Sequence, residues 1–114
     1  MTFDEYQKQA ITTDSDGGVM RGLTDKGFLD KAFGLVGESG EFAEKLKKIY
    51  RDNDGLLLDD DKAELVKELG DVLWYLSATL HYLDASFDDL ASSNLEKVLS
   101  RKQRGVTGGS GDNR

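Results

Sequence analysis

The chain contains no cysteine and no proline, and only one histidine and one tryptophan in 114 residues. Without cysteine there can be no disulfide framework, no thiolate nucleophile and no zinc–thiolate centre. A single histidine leaves little scope for imidazole ligation or for a Ser-His-Asp arrangement. The lack of proline removes the strongest helix breaker. Long apolar runs are missing too. No stretch approaches the roughly 20 residues of a membrane span, and the start "MTFDEYQKQAITTD" lacks the apolar segment of a secretory signal. Positive charge is in deficit: 15 Lys and Arg face 22 Asp and Glu, a net charge of −7. Such a surface repels phosphate backbones, which argues against a nucleic-acid partner. Together these absences lead to the expectation of a cytoplasmic protein of one domain, with no membrane partner. A chain of this length buries a small core, and small helical domains often complete theirs by oligomerising.

What is present is helical periodicity. Alternating strand patterns are nearly absent, and the spacing predicts an all-α fold of four helices. The first runs over about Phe3–Thr12, with Phe3, Tyr6, Gln7 and Ala10 on one face. A glycine-broken loop, "DSDGGVMRGLTDKG", follows. The second helix runs from about Phe28 to Arg51, its apolar positions being Leu29, Ala32, Phe33, Val36, Ala43, Leu46 and Tyr50. Gly34, Gly37 and Gly40 lie at intervals of three within it, each costing ~1 kcal/mol against alanine. They mark either close helix packing or room for a ligand beside Glu38 and Glu41.

The connection "DNDGLLLDD" superficially suggests a calcium loop. The first ligand position would be Tyr50 and the twelfth Asp61 rather than glutamate, so the pattern fails. An acidic turn feeding a helix start, with Asp61 and Glu64 as a capping box, accounts for it better. The third helix extends to about Leu83 and is apolar on nearly every side from Val72 onward, which implies a partner subunit. The fourth begins after Ser86, with Asp89 completing a second capping box, and carries Leu90, Leu95, Val98 and Leu99. Residues 1–104 form the expected domain. Residues 105–114, "GVTGGSGDNR", form a glycine-rich tail with no apolar pattern, which by itself reads as flexible.

Two acid pairs stand out. Glu68 and Asp71 are three apart on the third helix, beside Val72, Trp74 and Tyr75. Glu38 and Glu41 repeat that spacing on the second helix, next to Leu35 and Phe42. A short loop packs these helices antiparallel, and Glu41 and Glu68 are about equally distant from its centre. Facing carboxylates need counter-charge. Magnesium suits oxygen donors and substrate phosphates, and manganese accepts similar ligands. The plainer account is solvated helix faces, paired with Lys45, Lys47, Lys48 and Lys67. A di-iron bundle is excluded, because His81 has Ala78 rather than glutamate three residues before it. His81 is expected to be structural.

In this order, E-x-x-E in "GLVGESGEFAEKLKK" and E-x-x-D in "ELGDVLWYL", with "FDEYQ" before and "NLEKVLSRKQR" after, the chain resembles the all-α nucleoside triphosphate pyrophosphohydrolases of the MazG type. The resemblance covers nearly the whole chain. It implies a four-helix bundle completed by oligomerisation, as a homodimer or a homotetramer. It implies hydrolysis of (deoxy)nucleoside triphosphates to the monophosphate and pyrophosphate, in nucleotide-pool house-cleaning. By the same resemblance Glu38, Glu41, Glu68 and Asp71 bind magnesium, with Glu41 or Glu38 serving as general base. Lys97 and Arg101 match phosphate-contacting positions, with Asn94 one turn earlier. Tyr75, or Trp74 in its place, matches an aromatic position near the base. Outside the resemblance these are ordinary surface charge and core aromatics. Gly37 stands where some members carry an additional glutamate, and the tail resembles the ending of one single-domain subgroup, which implies a lid over the site. The rival readings are a metal-stabilised interaction bundle with no enzymatic activity, and a related phosphohydrolase of the dUTP or phosphoribosyl-ATP type.

Overall fold

A computed structural model describes residues 1–22 and 25–114. Leu23 and Thr24, inside the predicted glycine-broken loop, lie outside the described residues. Among the described residues there are four α-helices and no strand: α1 (Phe3–Ala10), α2 (Lys26–Asp52), α3 (Asp59–Tyr82) and α4 (Phe87–Gln103). A 3₁₀ turn, Ile11–Thr13, continues α1. The fold is all-α, and no described helix is long and apolar enough to cross a membrane.

Local chemistry sets the helix ends. Thr2 caps α1 by accepting from Glu5 N at 3.0 Å, and the Glu5 carboxylate accepts from Thr2 N at 2.9 Å. This reciprocal box satisfies two donors that would otherwise be orphaned. Asp25 caps α2 by accepting from Phe28 N at 3.0 Å. At α3 the expectation needs correcting. The helix begins two residues before Asp61, whose carboxylate accepts from Leu58 N at 3.0 Å. Asp61 is therefore the third residue of the helix, not its cap, and Asp59 and Asp60 supply the negative charge that the positive end favours. Ser86 caps α4, accepting from Asp89 N at 3.1 Å. Between α3 and α4 the chain reverses through Asp84, in the left-handed region at φ 54°, with Ala85 N bonded to Leu80 O.

α2 and α3 form an antiparallel hairpin across the connection 53–58, and α1 packs on α3 and on the start of α4. Gly34 lies directly against the Tyr75 ring, and a Cβ at that position would overlap it. Gly37 and Gly40 face open space. The two readings of the glycines thus divide: Gly34 serves close packing, and the other two leave room beside the acids. The expected apolar face of α2 also divides. Phe33 and Val36 are each 70% exposed and Tyr50 is 65% exposed, while Leu29, Leu35, Phe42 and Leu46 are half-buried.

α1 holds the α3–α4 corner together. Gln7 is buried; its side-chain amide donates to Ala85 O at 2.9 Å and accepts from Phe87 N at 3.2 Å. Asp4 accepts from Ser86 Oγ at 2.8 Å and from Asp88 N at 2.9 Å. Phe3 stacks on Phe87 with ring centroids 4.7 Å apart. Beyond that corner α4 diverges: its main packing partner among the described helices is α1, not α2 or α3. Leu95, Val98 and Leu99 are exposed. The radius of gyration is 17.0 Å, against about 13 Å for a compact chain of this length.

Candidate metal centre

The hairpin register positions the acids. Tyr75 rests on Gly34, and Lys45 reaches Glu64 at 3.5 Å and Glu68 at 2.7 Å. Between these two contacts Glu38, Glu68 and Asp71 come together, each offering a carboxylate oxygen within 4.8 Å of the others. Glu38 and Glu68 are half-buried and Asp71 is exposed. Partial burial raises the pKa of Glu38, and the charges of Asp71, Glu68 and Glu41 raise it further. Glu41 is exposed and stands outside the close group.

Lys45 touches Glu68 but supplies one positive charge to a group of three carboxylates. The donor set is all oxygen and all hard, and its surplus is negative. Two ligands on one magnesium stand at most about 4.2 Å apart, so a spread of 4.8 Å closes with a small side-chain adjustment. The residues fit a hard divalent cation.

The other expected residues are placed differently. Tyr75 packs on Gly34 and meets Trp74 edge-on, centroids 4.9 Å apart. Trp74 donates from its indole nitrogen to Thr13 Oγ1 at 3.0 Å. Lys97 and Arg101 share a face of α4, and both are engaged by the C-terminal tail. Asp112 Oδ1 lies 3.3 Å from Lys97 Nζ and 3.5 Å from Arg101 Nη2. These cations, Lys97 first, hold the Asp112 carboxyl below its usual range. Asn94 is exposed one turn earlier. The helix bearing these residues packs on α1, not on the hairpin that carries the acids. His81, which lines a small pocket with Gly18 and Met20, is not near the acid group.

A second polar cluster was invisible in the pattern. Lys31, 2% exposed, is bonded to Asp14 and Asp16 at 2.8 Å and to Asp30 at 2.9 Å. Tyr82 donates to Asp14 at 2.5 Å and accepts from Gly18 N at 3.2 Å. Burial pushes Tyr82 up to about 12, assisted by its bond to Asp14. Burial alone would raise the Asp14 pKa; the bonds from Lys31 and Tyr82 outweigh it and bring the pKa below the usual value.

Comparison with known proteins agrees with the acid geometry. Residues 30–106 match the family described as the MazG nucleotide pyrophosphohydrolase domain. The chain is 43% identical over 118 aligned residues to the Gene 37 protein of Mycobacterium phage L5, with all of both chains covered. No solved structure matches. A match over that span, containing both acid motifs, together with four helices whose central hairpin gathers those acids, establishes that this chain belongs to the MazG nucleotide pyrophosphohydrolase family.

Proposed function

We propose that the chain is a magnesium-dependent enzyme that hydrolyses nucleoside or deoxynucleoside triphosphates to the monophosphate and pyrophosphate, clearing aberrant or surplus nucleotides in the cytoplasm. The observation that carries this is the convergence of Glu38, Glu68 and Asp71 from two antiparallel helices. These three would hold magnesium, or manganese in its place. When bound, the ion offsets phosphate charge and lowers the pKa of a coordinated water.

The protein's own part is orientation and proton transfer. Glu41, exposed one turn from Glu38, is the acid free to take the proton of the attacking water. The water oxygen bonds to the α-phosphorus and the bond from that phosphorus to the bridging oxygen breaks, so pyrophosphate leaves in line. Lys97 and Arg101 would take the departing phosphates, with Asn94 beside them and Trp74 or Tyr75 near the base. Because α4 diverges from the hairpin of its own chain, we propose a homodimer, or a pair of dimers. In it the exposed stripe of Leu95, Val98 and Leu99 covers a second copy's hairpin.

The test is a panel of nucleoside triphosphates, including dUTP, together with phosphoribosyl-ATP, assayed with magnesium and scored for pyrophosphate against orthophosphate. Pyrophosphate release that stops on chelation is expected. Turnover of none of them, or orthophosphate as the sole product, overturns the proposal. Glu41→Gln should lose release while keeping its helical circular dichroism.

A further inference from the structure

The tail is not loose chain. Gly105, Gly109 and Gly111 adopt φ values of 72°, 100° and 83°, and these left-handed turns curl residues 105–114 back onto α4. Arg114 ties the curl by donating to the carbonyls of Gly108 at 3.1 Å, Thr107 at 3.2 Å and Gly111. Arg104 donates to the Arg114 carbonyl at 3.0 Å. Folded this way, the tail leaves the Arg101 side chain 9% exposed.

The engagement of Arg101 is incomplete. Its Nη2 donates to the Asp112 carbonyl at 2.7 Å and to the Gly111 carbonyl at 3.4 Å, but the Asp112 carboxylate is reached only at 3.5 Å, and Arg101 Nε is buried with no partner. A guanidinium presents a planar fork that carboxylate or phosphate satisfies with two parallel bonds. Here one tine is empty. Lys97 likewise meets Asp112 at 3.3 Å, through a carboxylate that is itself 80% exposed. The basic pair therefore holds an anion of its own chain, weakly, in a position where a phosphate would bind both residues better.

We propose that the tail is a built-in competitor. Asp112 occupies the Lys97–Arg101 pair until a polyphosphate displaces it, and the displacement uncovers Arg101. This rests on the proposal above that the pair receives phosphate. It adds an order of events: the free protein is latched, and substrate phosphates open it.

The probe is inorganic pyrophosphate, titrated calorimetrically into the full-length protein, into Asp112→Asn, Arg114→Ala and Lys97→Ala variants, and followed by steady-state kinetics. Asp112→Asn should tighten pyrophosphate binding and lower KM by about two- to fivefold, the range of an exposed ion pair, at unchanged kcat. Arg114→Ala, which loosens the curl and meets the basic pair only through the shared Gly111 carbonyl, should act in the same direction. Trypsin cleavage after Arg104, followed by mass spectrometry, should accelerate with pyrophosphate present. The competitor is overturned if Asp112→Asn binds pyrophosphate equally or more weakly while Lys97→Ala still weakens binding. It is also overturned if pyrophosphate protects Arg104 from cleavage. If Lys97→Ala binds pyrophosphate unchanged, the phosphate assignment has failed and takes the competitor with it.

Discussion

Two groups of three acids and one lysine lie in this small molecule, and they differ in balance. Around Lys31 each carboxylate of Asp14, Asp16 and Asp30 sits within 2.9 Å of the ammonium, which is 2% exposed. Around Glu38, Glu68 and Asp71 the one lysine in contact, Lys45, touches Glu68 and is 38% exposed. The first group is saturated, with Lys31 and Asp14 buried while Asp16 and Asp30 reach solvent, and it fastens the segment after α1 to the start of α2 and the end of α3. The second is left short of positive charge and open to solvent. Similar residues make a rivet in one place and, on the proposed function, a cation receptor in the other, and the difference lies in how many acids the lysine reaches.

Lys31→Met attacks the saturated group. It leaves Asp14 buried without its cation, and a loss of about 3–5 kcal/mol is expected, read from urea unfolding. Lys45→Met, at the open group, should barely move the urea midpoint. Glu38→Gln should reverse this contrast, cutting pyrophosphate release by about a hundredfold or more with an unchanged or raised midpoint, since it relieves repulsion. Magnesium should sharpen the difference. At a hundred times its dissociation constant it stabilises the wild-type fold by about 2.7 kcal/mol, and it should do the same for Asp14→Asn but not for Glu38→Gln. The smallest effect is in acid. The Asp14 pKa is lowered from 3.8 in the fold, so its contribution is complete above that value and lost as pH falls through the lowered one. Urea midpoints between pH 7 and pH 2 should drop for the wild type, and the part due to this group should be missing in Asp14→Asn.

Helical period carried much of this. Four helices, the hairpin and the meeting of Glu38 with Glu68 and Asp71 are properties of residues three or four apart on two elements joined by a short turn. The reciprocal Thr2–Glu5 cap was not among the expected caps, although Thr-x-x-Glu at the start of an apolar period is its signature. The Asp14–Lys31–Tyr82 cluster has no such signature. It joins a loop residue to two helices, and its geometry depends on how Gly17 and Gly18, at φ 83° and 70°, turn the chain. Period placed Gln7 on the face of the first helix shared with Phe3, Tyr6 and Ala10, but not its bonds, because an amide finds those partners only once a corner is folded around it. The tail lacks apolar pattern and was expected to be flexible or lid-like. Arginine-to-carbonyl bonds, which no hydropathy period records, hold it on α4.

The clasp of Gln7 and Asp4 on the α3–α4 corner has a consequence for any shortened form of this protein. The span that matches the family begins at residue 30, so trimming the chain to it would keep Glu38, Glu41, Glu68 and Asp71 and discard the elbow brace. The last helix would then swing on Asp84 like an unpinned arm. The heading of its basic residues is decided by a side-chain amide near the opposite end of the sequence.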